Sequence, residues 1–474
     1  MKEELLKIVE QGIKLGATFV DLRFQTVNKT ILKVSNNKIE VSNVGTEQGI
    51  GIRVFVNGAV GFATSSSLDE ESISSALNSA YKMAKASSES IKMRVNLADT
   101  KIQEDTVKAK LDIDPRNISV GEKISNIMQI NTLLLKSSEY IRNSTVEYAD
   151  LVINQIYVSS EGTYIDQEKV YVWTKVVATA RRNDIYASAR YEFGSPKGYG
   201  IWNIETPEKI SEVMKNRLLK QLEAKTPKAG LFPAVLAPEV VGVFTHEAFG
   251  HLAEADLTFS GAITLNRLGQ KIASPLVNIY DDGTLEGGFG SFKYDDEGVP
   301  AQKTLLIKEG KIVSLLYDRY HASLAKVMLE RMGTLANEFN TEPTGNARAE
   351  SYRFAPIIRM RNTYIAPRDW TKEELFEDIK FGYYLVSFRG GQANLDGTFQ
   401  VGIQEGYEII NGEIGAPVRN LSISGNTLET LLSIDGIAND LAFESGRCGK
   451  GQTAFVGSGG PHIRVKKIVI GGRE

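Results

Sequence analysis

Two imidazoles and a carboxylate fall within six consecutive residues, His246-Glu247-Ala248-Phe249-Gly250-His251, of a chain with only four histidines. Neutral imidazole is a good zinc ligand, and a carboxylate beside a metal-activated water can act as its general base. In the familiar H-E-x-x-H pattern the histidines are four apart and share a helix face. Here the step is five. On a regular α-helix five residues turn through about 500°, leaving the rings roughly 140° apart and unable to share one ion. A π-type turn, with about 4.4 residues per turn, returns the fifth residue to nearly the same face. If the two rings act together, the spacing predicts a bulged or unwound helix here, eased by Gly250. The alternative is two unrelated surface histidines flanking a solvated Glu.

The elements around the motif must position it. Pro238 suits a first helical position, and Val240, Phe244 and Ala248 recur every four residues, so a helix with a buried stripe is expected over 238–256. A strand-like run at 231–236 precedes it. Glu254 and Asp256 follow the second histidine, either orienting the imidazoles or ending the helix as solvated carboxylates, the commoner case.

Two histidines do not hold a catalytic zinc, which usually takes three protein ligands and a water. The one cysteine, Cys448, lies in Ser445-Gly446-Arg447-Cys448-Gly449-Lys450-Gly451-Gln452. A lone cysteine is most often a small buried hydrophobe. Flanking glycines nevertheless let this backbone approach another group closely, a neighbouring cation lowers a thiol pKa, and thiolate binds zinc strongly. A phosphate loop is excluded because Lys450 is followed by Gly451 rather than Ser or Thr.

The run His246 to Asp256 resembles the H-E-x-x-x-H helix of the TldD/PmbA family of metallopeptidases, and Cys448 within Arg447-Cys448-Gly449-Lys450 matches that family's distal cysteine. Asp281-Asp282-Gly283-Thr284-Leu285, Asp295-Asp296-Glu297-Gly298, Asn346-Ala347-Arg348-Ala349-Glu350-Ser351-Tyr352, Arg361-Asn362-Thr363-Tyr364 and Gly390-Gly391-Gln392 are also similar. The likeness is strong over most of 230–474 and looser over the first 220 residues. An intact motif points to the catalytic TldD branch rather than the PmbA (TldE) branch, which lacks it. The resemblance implies one Zn2+ per chain on His246, His251 and Cys448, with Glu247 as general base. It implies a heterodimer with a PmbA/TldE-like subunit, a homodimer being the alternative, enclosing the zinc in a cavity that unfolded or extended peptides enter. Peptide maturation or degradation is the implied role.

Other residues are weaker candidates. Gly390, Gly391 and Gln392 resemble a family loop near the substrate path, where exposed backbone can pair with an extended peptide; a plain β-turn competes equally. His321 and Arg389 are candidate donors to an oxyanion, with core or surface roles the ordinary reading. His462 is expected to pack or face water. The aspartate pairs at 281–282 and 295–296 read as turn residues, since the ligand spacing of a calcium loop is absent.

Composition sets the frame. A chain of 474 residues exceeds one ordinary core. Apolar content of 42% and charged content of 24% are those of a globular protein. A net charge of −3 disfavours sequence-independent binding to nucleic acid. No signal peptide or membrane-spanning run is seen, and one cysteine permits no internal disulfide, consistent with the cytoplasm.

An α+β fold of two domains is expected. Over 1–225, helices at 4–15, 120–136 and 207–223, with another after a capping box at Ser67 and Glu70, pack on a hairpin-rich antiparallel sheet. Its turns fall at Asn36-Asn37, Asn57-Gly58, Glu161-Gly162 and Asn183-Asp184. This domain would contact the partner and wall the cavity. Residues 226–230 form the linker. The domain over 230–474 is strand-rich around the distorted zinc helix, with one strong late helix at 371–382. Three rivals remain: a binding module with structural zinc, a gyrase-modulator-type regulator, and a zinc amidase acting on a non-peptide substrate.

Overall fold

The structure, a computed structural model, describes residues 2–91, 94–331, 333 and 339–472. It is α+β, as expected. In the first half, α1 (Lys2–Lys14) leads into β1 (Phe19–Ser35), β2 (Lys38–Val56), β3 (Ala59–Ser65) and α2 (Glu70–Ser88). Then come β4 (Glu104–Val107), α3 (Val120–Lys136), β5 (Ile141–Ser159), β6 (Tyr164–Arg182), β7 (Ile185–Ser195) and α4 (Pro207–Glu223). The strands form one sheet in the order β3-β2-β1-β5-β6-β4, with β7 also on β6. Left-handed backbone at Asn36, Asn37, Asn57 and Gly58 makes the two tight hairpin turns.

Alternation along β1 divides this sheet's labour. Val20 and Leu22 pack under α1 and α2, while Leu32 and Val34 pack under α3 and α4. All four residues are even-numbered and so share one face. The odd face carries Asp21, Arg23 and Gln25, which are buried against the second half instead. There Arg53 pairs with Asp21 and Glu297, each at 2.5 Å, and Lys169 pairs with Asp296 at 3.0 Å.

The second half begins with β8 (Gly230–Leu236) and α5 (Pro238–Phe244), continued by a π-helical turn (Thr245–Gly250), a 3-10 turn (His251–Ala253) and α6 (Ala255–Phe259). Next are β9 (Ile279–Asp282), β10 (Lys303–Lys308), β11 (Lys311–Ile312), α7 (Arg319–Arg331), and the short strands β12 (Ala347–Arg348) and β13 (Ile357–Ile358). They are followed by β14 (Asn362–Ile365), β15 (Phe381–Ala393), β16 (Thr398–Ile410), β17 (Glu413–Val418), β18 (Leu421–Asn426) and α8 (Thr427–Leu432). The chain ends with β19 (Ile434–Ile437), β20 (Ala442–Gly449), β21 (Thr453–Gly460) and β22 (Ile463–Gly472).

Pairing runs β15-β8-β22-β18-β16 and returns from β16 to β15, closing a ring of strands. A second sheet has the order β11-β10-β9-β14-β21-β20, which leaves β20 at an edge. The apolar core between these sheets contains Phe244 and Phe249, both fully buried. This core fixes α5 and the turn after it.

Two local expectations are corrected. The helix expected at 371–382 is a single 3-10 turn, Glu373–Leu375. Its capping box forms, with the Thr371 N–H donating to Glu374 Oε2 at 2.6 Å. However, Asp378 adopts φ 64° and β15 begins at Phe381, so the helix does not propagate. The strong late helix is instead α7, whose Ala322, Ala325 and Leu329 face the core. The cap of α2 is Asp69, accepting from the Ser72 N–H at 2.8 Å, rather than Ser67.

Candidate metal centre

The five-residue step is resolved by the π-helical turn. The His251 N–H donates to the His246 carbonyl, the wider ring that a π-turn closes. The two imidazoles therefore meet, with ring centres 5.1 Å apart and planes at 81°. Gly250 has ordinary helical angles, φ −55° and ψ −48°, so it does not serve by relieving distortion. A Cβ there would lie 2.0 Å from Met360 Sδ: the glycine is required by close packing.

Cys448 reaches the same point from β20. Arg359 fixes its backbone, donating from Nη2 to the Cys448 carbonyl at 2.7 Å. Cys448 Sγ lies 3.3 Å from His251 Nε2, and one donor atom from each of His246, His251 and Cys448 falls within 4.8 Å of the others. Donors at about 2.0–2.3 Å from a tetrahedral ion sit roughly 3.5 Å apart, so this set fits a single zinc with small side-chain adjustment. His246 Nδ1 is buried without a hydrogen-bond partner among the described residues, and burial of an unpaired polar atom is costly.

The thiol and the two imidazoles are electrostatically coupled. Burial opposes charge on Cys448, yet His246 and then His251 outweigh it and bring the thiol down to about 4. The neighbouring cations expected to do this act elsewhere: Arg447 stacks 3.6 Å over Trp173, and Lys450 pairs with Glu254 at 3.2 Å and Asp256 at 2.8 Å. Glu254 is fully buried, not solvated, and its Oε2 lies 2.8 Å from His251 Nδ1. A carboxylate on the far nitrogen fixes the tautomer and orientation of a ligand imidazole.

Glu247 is the one residue of the π-turn that is not buried. Its Oε2 lies 3.9 Å from His251 Nε2. It borders two cavities: one of about 400 Å³ shared with His246, Gly390, Gly391 and Glu444, and one of about 530 Å³ shared with His251, Gln392 and Cys448. Gly390, Gly391 and Gln392 belong to β15, opposite Gly402, Val401 and Gln400 of β16, and not to a β-turn. A Cβ on Gly391 would sit 3.3 Å from Glu247 Cγ.

His321 and Arg389 are placed elsewhere. His321 Nδ1 is taken up by Asp318 at 2.8 Å, and neither residue lines the two cavities Glu247 borders. His462 packs, with Nδ1 on Asp440 at 2.5 Å and Nε2 on Tyr384 at 3.0 Å. Asp295 is a turn residue, accepting from the N–H groups of Glu297 and Val299, each at 2.9 Å. Glu444 went unnoticed in the sequence because a lone glutamate in a strand carries no signature.

Residues 229–472 match the family model described as the PmbA/TldA metallopeptidase C-terminal domain; 20–84 match domain 1 and 113–222 the central domain of the same metallopeptidases. The chain belongs to the PmbA/TldD family of metallopeptidases. A Saccharolobus solfataricus protein named zinc metalloprotease TldD homolog is 36% identical over 470 residues, 99% of this chain and 100% of that protein. Among solved structures, a Thermotoga maritima protein described as a candidate modulator of a DNA gyrase superposes with a TM-score of 0.76 at 20% identity. It covers 99% of this chain and 100% of its own. TldE from Thermococcus kodakarensis gives a TM-score of 0.74 at 19% identity, over 99% of this chain and 100% of that one. At such identities these two show the fold alone.

Proposed function

We propose that this chain is a zinc peptidase of the TldD branch that hydrolyses unfolded or extended peptides. The observation that carries the reading is the convergence of His246, His251 and Cys448 donors within 4.8 Å, with Glu247 opening from the same turn into two cavities. His246, His251 and Cys448 would hold the zinc, which when bound would supply Lewis acidity toward water and the scissile carbonyl. Glu247 takes the proton of the attacking water and returns it to the leaving amine. His251 is held in its ligand tautomer by Glu254, and Glu254 in turn by Lys450. The open stretch of β15 at Gly390 and Gly391 offers backbone to an extended substrate.

In this reading the halves over 1–225 and 230–474 act as cavity wall and catalytic domain, and a PmbA/TldE-like subunit completes the cavity, a second copy being the alternative. Exposed Ile39, Val41 and Val44 near the β1–β2 turn support an interface there. We place the enzyme in the cytoplasm, with which its single cysteine is consistent. Among the described residues no helix is long and apolar enough to cross a membrane.

The test compares wild type with Glu247→Ala on an unfolded peptide, with the partner subunit added and zinc assayed in parallel. Turnover should fall about 10²–10⁴-fold while the metal is retained. Persisting activity would remove Glu247 as the base. If wild type cleaves no peptide, the regulator reading takes its place.

A further inference from the structure

Strand residues alternate faces, so Glu444, Gly446 and Cys448 of β20 project to the same side. At about 3.3 Å per residue, Glu444 lies roughly 13 Å along the strand from the thiol. The space beside Gly446, midway between them, is open: a Cβ built there would meet no atom within 4 Å. Glu444 lines the cavity of about 400 Å³ that also contains His246 and Glu247.

No hydrogen bond or ion pair reaches the Glu444 carboxylate among the described residues. The three arginines of this cavity are committed elsewhere. Arg190 pairs with Glu192, and Arg217 with Glu239 at 3.0 Å. Arg447 lies over Trp173. Lys175 also lines the cavity and makes no ion pair among the described residues, but it does not reach Glu444. Burial first, then Glu239 and Glu205, push the Glu444 carboxyl up to about 8 against the opposing pull of Arg217 and Arg190. An unpaired, half-buried carboxyl whose surroundings oppose its ionisation is one that an incoming cation would stabilise in the charged form.

We propose that Glu444 is a specificity-determining residue: its carboxylate receives a cationic group of the peptide, an α-ammonium group or a Lys or Arg side chain. The proposal rests on the peptidase reading and deepens it. It assigns the cavity on the His246 side of Glu247 to the charged part of the substrate.

Binding decides it without relying on turnover. The zinc-loaded Glu247→Gln protein, with its partner subunit, is titrated with four fluorescent peptides of one sequence. They carry lysine or norleucine at one position, each with a free or an acetylated amino terminus. A cationic peptide should bind about tenfold or more tightly than the acetylated norleucine peptide, as charge-assisted hydrogen bonds warrant. Adding Glu444→Gln should collapse that ratio to within about twofold. Acetylation and norleucine separate the two possible cations. A ratio that survives Glu444→Gln and, as a second variant, Glu444→Ser overturns the proposal. So does equal affinity for all four peptides, or no binding of any. Failure of the peptidase reading would show separately, as wild-type protein that binds these peptides but cleaves none.

Discussion

His251 lies between a carboxylate and a thiol: its Nδ1 is 2.8 Å from Glu254 Oε2 and its Nε2 is 3.3 Å from Cys448 Sγ. The ring is thereby held with one nitrogen spoken for and the other aimed at the donor set. Replacing Glu254 with Gln removes the acceptor charge but keeps the shape. Zinc affinity, read by competition with a chromophoric chelator, should fall about 10–100-fold. Unchanged affinity would mean that Glu254 serves the fold and not the metal.

Gly391 tests the space around Glu247. Its missing Cβ would stand 3.3 Å from Glu247 Cγ and 3.2 Å from Val401 Cγ2. Gly391→Val should crowd Glu247, the proposed base, without contacting His246, His251 or Cys448. Zinc content should stay stoichiometric while kcat falls on the order of 10²-fold, the cost of displacing a catalytic group by about 1 Å. Parallel loss of zinc would show that the strand is needed for the centre itself.

The contact between the halves should be acid-sensitive through Asp296. Burial works against its charge, but Lys169 and then Arg23 outweigh burial and hold the carboxyl at about 2, below its ordinary 3.8. A carboxylate depressed in the folded state stabilises above its unfolded pKa and loses that contribution as pH falls through the folded one. About 2 kcal/mol should therefore vanish between roughly pH 4 and 2. Denaturant titrations across that window should show the slope in wild type and a flatter profile in Asp296→Asn. The variant should be less stable at neutral pH, because Lys169 and Arg23 are left buried without it.

Local patterns were legible where one residue type sufficed to specify geometry. The hairpin asparagines, the period-two strands of the first sheet and the helix after Pro238 follow from backbone preference and hydrophobic spacing. The π-turn was legible because two rings five apart can meet in few other ways. The helix at 371–382 was misread because a real capping signal does not ensure propagation when Leu375, Phe376 and Ile379 are drawn into the cluster around Tyr384. Glu254, Lys450 and Glu444 depend on which strand lies beside the turn. Local sequence carries no record of the roughly 200-residue separation that brings β20 to His251.

X-ray absorption at the zinc edge of the purified protein tests the proposed donor set of His246, His251 and Cys448 directly. The spectrum should show one sulfur at about 2.3 Å and two nitrogens at about 2.0–2.1 Å, with the sulfur shell lost in Cys448→Ser. A wild-type spectrum with no sulfur neighbour, or one unchanged by that substitution, would contradict that donor set.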